Sequence, residues 1–160
     1  MIKKLLTILV LCGTIKVYAQ NPAEVLKIIT KRTGIKTDHI TVESRKLQRG
    51  YEAVTCNPHL IVVNTTQWNL NLATENYSTM LHEVGHTYGG LHRDDYMKFK
   101  EPASIMFPSS FPDFIFRKHL KYYEADLIKL VYQTPTEWVW EHVLMRHETV
   151  EECIKEIKDE

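Results

Sequence analysis

The chain has 160 residues, with 20 Lys and Arg balanced by 20 Asp and Glu, and 44% of its residues are hydrophobic. That length suits one domain with a real core. A formal net charge of zero, with no basic block, excludes nucleic acid and anionic membrane surfaces as expected partners.

Residues 1–19 read as a cleavable export signal rather than part of the fold. Lys3 and Lys4 form a basic start, Leu5 to Ile15 an apolar stretch too short to span a bilayer, and Val17-Tyr18-Ala19 a cleavage site before Gln20. Lipid attachment at Cys12 fits less well, because Leu11 precedes it where a small residue is wanted. The expected location is secreted or periplasmic, with no membrane insertion once the signal is removed. The signal takes Lys3, Lys4 and Lys16 with it and no acid, which leaves a formal net charge of −3.

Asn21-Pro22-Ala23-Glu24 predicts a helix start, with Asn21 as N-cap and Pro22 at the first helical position. Val25, Ile28 and Ile29 line one face, and Gly34 ends the helix. Ile40 to Ser44 alternates as a strand, and Tyr51 to Thr55 is a second candidate. His59 to Asn64 is the strongest strand, β-branched at its centre. Its unbroken apolar run fits a central strand buried on both faces. Asn64 to Asn76 reads as a polar connection. A helix is expected from about Thr74 to Tyr88, then irregular chain from Arg93 to Pro112, then a helix over Leu120 to Gln133. Thr134-Pro135-Thr136-Glu137 reads as a capping box with Pro at its first helical position. Beyond it Trp140, Val143, His147, Val150, Ile154 and Ile157 recur at spacings of three and four, the seam of a helix. That seam is expected to pack on the domain; pairing with a second molecule or covering a cleft are the other uses it allows.

The chemistry concentrates in His82-Glu83-Val84-Gly85-His86-Thr87-Tyr88-Gly89-Gly90-Leu91-His92. On a helix, positions i and i+4 share a face, so His82 and His86 can present two imidazoles to one metal. Gly89 and Gly90 let the helix stop and the chain turn back, bringing His92 as a third nitrogen ligand. Three protein ligands leave a fourth position open, the mark of a catalytic rather than structural zinc site. Glu83 stands beside the first ligand, placed to act on a water. His39, His59, His119, His142 and His147 have no ligand spacing. Asp94 or Asp95 could orient a ligand ring, although solvated loop acids are the commoner case.

These residues match the pattern HExxHxxGxxH, so the chain resembles the metzincin zinc metalloproteases. Ser104-Ile105-Met106-Phe107-Pro108 resembles the Met-turn of that clan and is most similar to its matrixin branch. The resemblance covers roughly Ile40 to Gln133 and is specific from Met80 to Pro108. It implies an α+β zincin domain over residues 20–134, with a short mixed sheet, an active-site helix, a Met-turn and a terminal helix. Residues 135–160 form a helical extension beyond it. It makes His82, His86 and His92 the ligands of one Zn2+, Glu83 the general base and acid, and Met106 the residue beneath the metal. It also implies that His59 to Asn64 is the edge strand that binds peptide. Phe107, Phe111, Phe114 and Phe116 fall where the family builds a pocket wall, while Phe114 and Phe116 read better as core. The implied activity is hydrolysis of peptide bonds in protein or peptide substrates. The alternative is a zinc-binding interaction protein of the same fold without significant proteolysis.

Cys12 leaves with the signal. Cys56 and Cys153 remain, and in an exported protein they form either a bridge or two thiols with one or both buried.

Overall fold

The computed structural model describes residues 21–97, 101–109, 111–142, 147 and 149–159. The proposed signal, residues 1–19, lies outside them. Among the described residues no helix is long and apolar enough to cross a membrane.

Helix α1 spans Pro22–Thr33. The Asn21 side chain accepts from the Ala23 N–H at 3.0 Å, and Gly34 closes the helix at φ 77°, which a side chain would disfavour. Val25, Leu26 and Ile29 are the residues it buries. The sheet has three strands: β1 (Thr41–Arg45), β2 (Ala53–Asn57) and β3 (Leu60–Asn64), in the order β1-β3-β2. β1 runs parallel to β3, and β2 runs antiparallel to it. β3 is therefore the central strand, and both of its edges are taken. Its role as the peptide-binding edge is corrected by this pairing. The physical reason lies in its side chains. Ile61 and Val63 enter the core shared with α1, while Val62 enters a second core on the opposite face.

The polar connection after β3 contains a helix, α2 (Thr65–Leu70), capped by the Asn64 side chain, which accepts from the Thr66 N–H at 3.2 Å. Trp68 is the residue it buries. Helix α3 (Ala73–Thr87) follows, and the Glu75 carboxylate accepts from the Leu72 N–H at 2.6 Å at its start. The chain from Arg93 is irregular, apart from a bridge between Tyr96 and Pro102. Helix α4 spans Asp113–Gln133 and so begins ahead of the expected Leu120. Of the aromatic cluster, Phe116 is core as expected. Phe114, on the outer side of the added helical turns, is 69% exposed, which corrects its reading as core.

The extension is not one continuous helix. It forms α5 (Thr136–His142) and α6 (Val150–Asp159), with His147 and Thr149 non-helical between them. α5 begins after Pro135, not at it. The signal for α6 is a capping box at Thr149-Val150-Glu151-Glu152. The Thr149 hydroxyl accepts from the Glu152 N–H at 3.2 Å, and the Glu152 carboxylate accepts from the Thr149 N–H at 3.3 Å. Trp140, Val150 and Cys153 are buried, and Ile154 packs against the cluster that holds Val150 and Cys153, so the apolar seam lies on the domain. Val143 and the side chain of Ile157 fall outside the described residues. α6 covers the sheet face opposite α1 and α3, where Leu47, Cys56 and Val62 meet Val150 and Cys153. There Cys56 and Cys153 are joined in a disulfide with a Cα separation of 5.6 Å.

Candidate metal centre and cleft

α3 carries His82 and His86 one turn apart and stops one residue beyond the second. Gly89 then adopts φ 79°, and the Gly90 N–H returns to the Gly85 carbonyl at 2.9 Å. A Cβ on Gly90 would lie 2.8 Å from that carbonyl oxygen, so the turn needs glycine there for space. The returning chain lays His92 against the other two rings. Their Nε2 atoms are 3.0 Å (His82 to His86), 3.1 Å (His86 to His92) and 3.2 Å (His82 to His92) apart. Among the described residues these form the only group of three or more metal-ligating side chains.

The other ring nitrogens explain what such a triangle is for. His82 Nδ1 lies 2.8 Å from the Ile105 carbonyl, and His86 Nδ1 lies 2.7 Å from the Gly90 carbonyl. A carbonyl only accepts, so both Nδ1 atoms carry protons, and whenever these rings are neutral each Nε2 is a bare lone pair. Lone pairs 3.0 Å apart cannot bond each other and repel unless a cation stands between them. A tetrahedral zinc with Zn–N of about 2.0–2.1 Å sets its ligand atoms about 3.3–3.4 Å apart, close to the observed triangle. Burial is the main cause that pushes the His86 pKa down to about 3, with His82 and His92 adding to it. Burial also lowers His92, followed by the His82 charge. The neutral form that a metal requires is therefore already favoured.

Main-chain carbonyls orient the His82 and His86 rings. Asp95 pairs with Arg93 at 2.7 Å, and both Asp94 and Asp95 are exposed, the commoner case for loop acids. The Ile105 carbonyl is held through Asp126 on α4. That carboxylate accepts from the Ser104 hydroxyl at 2.7 Å and from the Ile105 N–H at 3.0 Å, and the Ser104 hydroxyl accepts from the Met106 N–H at 3.1 Å. Met106 is fully buried, and its carbonyl accepts from the Arg93 N–H at 2.8 Å, tying the turn to the segment that bears His92. A Cβ on Gly85 would lie 2.3 Å from the Met106 sulfur, so any side chain there would require Met106 to shift.

Glu83 is 6% exposed, and burial raises its pKa. The His82 charge and the Thr55 hydrogen bond oppose that shift. The Thr55 hydroxyl, on β2, lies 2.6 Å from Glu83 Oε2 and 2.9 Å from the Glu83 carbonyl. Neither Thr55 nor Asp126 stands out in the sequence. Each acts across the fold, 28 and 22 positions from its partners Glu83 and Ser104, and no local spacing marks it.

The three histidines and Glu83 line a cleft of about 360 Å³. One wall is β2 with the chain before it, from Gly50 to Thr55; the facing wall is Phe107 to Ser109 with Phe111. Trp140 of the extension also lines it, and its indole N–H donates to the Thr87 carbonyl at 3.2 Å. The remaining histidines lie elsewhere. His39 packs edge-on against the His59 and Tyr88 rings, and His119 Nε2 lies 2.7 Å from a Glu101 carboxylate oxygen. His147 uses its main chain, donating to the Cys56 carbonyl at 2.9 Å and accepting from the Asn57 side chain at 2.7 Å. The side chain of His142 falls outside the described residues.

Comparison with protein-family models, with curated proteins and with solved structures gave no significant match to this chain.

Proposed function

We propose that this chain is an exported zinc-dependent endopeptidase of the metzincin type, with His82, His86 and His92 as metal ligands and Glu83 as general base and acid. One observation carries the reading: the Nε2 atoms of His82, His86 and His92, the first two turned by carbonyls at Nδ1, focus on a point in a cleft beside a buried carboxylate. When bound, zinc supplies Lewis acidity, lowering the pKa of a water molecule and drawing charge from a carbonyl oxygen.

The protein's own groups do the rest. Glu83 accepts a proton from water as the water oxygen bonds to the scissile carbonyl carbon. It then delivers that proton to the amine nitrogen as the C–N bond breaks, leaving an amine and a carboxylic acid, which passes its remaining proton to solvent or to the amine. Burial favours this second task, since a carboxyl raised above its usual range holds a proton longer. The substrate lies extended along β2, because the edges of β3 are taken. The Asn64 N–H donates to the Glu52 carbonyl at 2.8 Å just before β2, so by alternation the main-chain groups of Ala53 and Thr55 point away from β3, towards a strand added from the cleft. Phe107 and Phe111 on the facing wall favour a hydrophobic substrate side chain. A disulfide on the sheet and the signal-like residues 1–19 support export.

The test is metal analysis of residues 20–160 with digestion of a mixed peptide library, beside Glu83→Ala. The expected result is one zinc per chain in both proteins and cleavage by the wild type alone. A wild type that binds zinc and cleaves nothing supports the interaction-protein alternative. A fully active Glu83→Ala overturns the assigned mechanism.

A further inference from the structure

We propose that Thr55 is a positioning residue for the reaction: its hydroxyl holds Glu83 Oε2 so that Oε1 is the oxygen presented to the cleft. This rests on the endopeptidase reading above. A Glu side chain has three rotatable bonds, and Glu83 sits on the helix beside a ligand, with open space on one side. Packing alone therefore leaves its carboxylate several orientations.

The structure supplies one polar side chain that selects among them. Thr55 Oγ1 is 2.6 Å from Oε2, a short separation typical of a hydroxyl bonded to a charged oxygen. The same hydroxyl is 2.9 Å from the Glu83 main-chain carbonyl, so its one proton has two acceptors in reach, and the carboxylate oxygen is the nearer and the more basic. Its single proton serves the carboxylate, leaving the second Glu83 oxygen as the acceptor in the cleft. Thr55 is itself held firmly. It pairs with Ile61 in the sheet, and the next residue, Cys56, is bonded to Cys153 and accepts from the His147 N–H at 2.9 Å. A base fixed through a strand, a disulfide and a second chain segment needs little reorganisation when it takes a proton.

Thr55→Val keeps the shape and the strand preference of the side chain and deletes the hydroxyl; Thr55→Ser keeps the hydroxyl. Both fold if their far-UV circular dichroism and melting match the wild type, and Thr55→Ala replaces the Val variant if it does not. Two readouts follow. In the metal-free protein labelled with 13C-glutamate, the Glu83 carboxyl signal, assigned by its loss in Glu83→Gln, moves in Thr55→Val and stays in place in Thr55→Ser. With peptide substrate, kcat falls about tenfold in Thr55→Val at nearly constant KM, the loss expected for one hydrogen bond to a charged group, and Thr55→Ser restores it. An unmoved carboxyl signal overturns the proposal whatever the activity. An active wild type with an equally active Thr55→Val overturns the proposal and leaves the endopeptidase reading standing. An inactive wild type overturns both.

Discussion

The disulfide offers the sharpest test of how the extension is held. It joins residues 97 apart, so its removal frees a loop that spans most of the domain. In the chain-entropy picture, closing a loop of about 100 residues is worth about 4.7 kcal/mol at 25 °C. Compactness of the denatured chain reduces that gain, and native bridges commonly contribute about 2–4 kcal/mol. Reduction alone leaves both sulfurs in place against Leu47, Val62 and Val150, so it isolates the loop effect from packing. Changing both cysteines to Ala adds the packing loss at two buried sites. The assay is equilibrium urea unfolding of residues 20–160, oxidised, reduced and doubly substituted. With a slope of about 2 kcal/mol/M, reduction should lower the midpoint by about 1–2 M, and the double variant should fall slightly further. Zinc stoichiometry should not change, because the ligand helix packs in the other core. A midpoint shift below about 0.3 M on reduction would refute the entropic argument, as would free thiols in protein purified under oxidising conditions.

Three further outcomes follow from the site. Asp126→Ala frees Ser104 and Ile105, and with them the carbonyl that orients His82; metal affinity measured against a competing chelator should fall about 10–100-fold, and an unchanged affinity would show that the turn holds itself. Gly85→Ala drives a methyl into the Met106 sulfur, and its overpacking cost of about 1–3 kcal/mol should exceed the gain in helix propensity of up to about 1 kcal/mol. A lower Tm is expected, and a raised one would mean that Met106 moves aside freely. In the metal-free protein the His86 pKa is lowered to about 3, so between that value and its unfolded pKa of about 6.5 the unfolded chain binds the extra proton. Stability should therefore rise with pH across that window, and a flat urea midpoint from pH 4 to 7 would count against a buried neutral ring.

Much of the site was legible because it is local. His82, His86, Gly89 and His92 lie within one helix end and one turn, so helical periodicity and glycine conformation alone bring the rings together. The same holds for α1, whose cap, first-turn proline and αL glycine all sit where the sequence places them. Elements without local punctuation were harder to read. The start of α4 at Asp113 has no side-chain cap, and exposed Phe114 blurs the apolar face that Phe116 and Leu120 begin, so no local signal marks its first turn. The seam from Trp140 to Ile157 has the right period for a single helix. Period alone does not register a break, and the cap at Thr149 that restarts the chain is a stronger signal than the apolar spacing running across it.

What local reading cannot supply is which groups hold the rings and the base. Hydropathy placed β3 correctly as a strand but could not say whether its backbone edges were free. That depends on β1 pairing in parallel from far upstream, and only with both edges taken does β2 become the strand facing the cleft. The ring orienters are main-chain carbonyls at Gly90 and Ile105, and every residue has one of these, so no residue type can mark them. The acids beside the motif, Asp94 and Asp95, carry the chemistry such a role commonly uses, yet both are exposed and Arg93 takes Asp95. The effective acid is Asp126, on another helix, which acts on His82 through Ser104 and Ile105 rather than by contact. The Glu83 carboxylate is likewise met by Thr55, which entered the sequence only as a strand residue. A metal motif thus specifies its ligands by spacing along the chain, whereas their orientation is a property of the tertiary fold that brings β2 and α4 against α3.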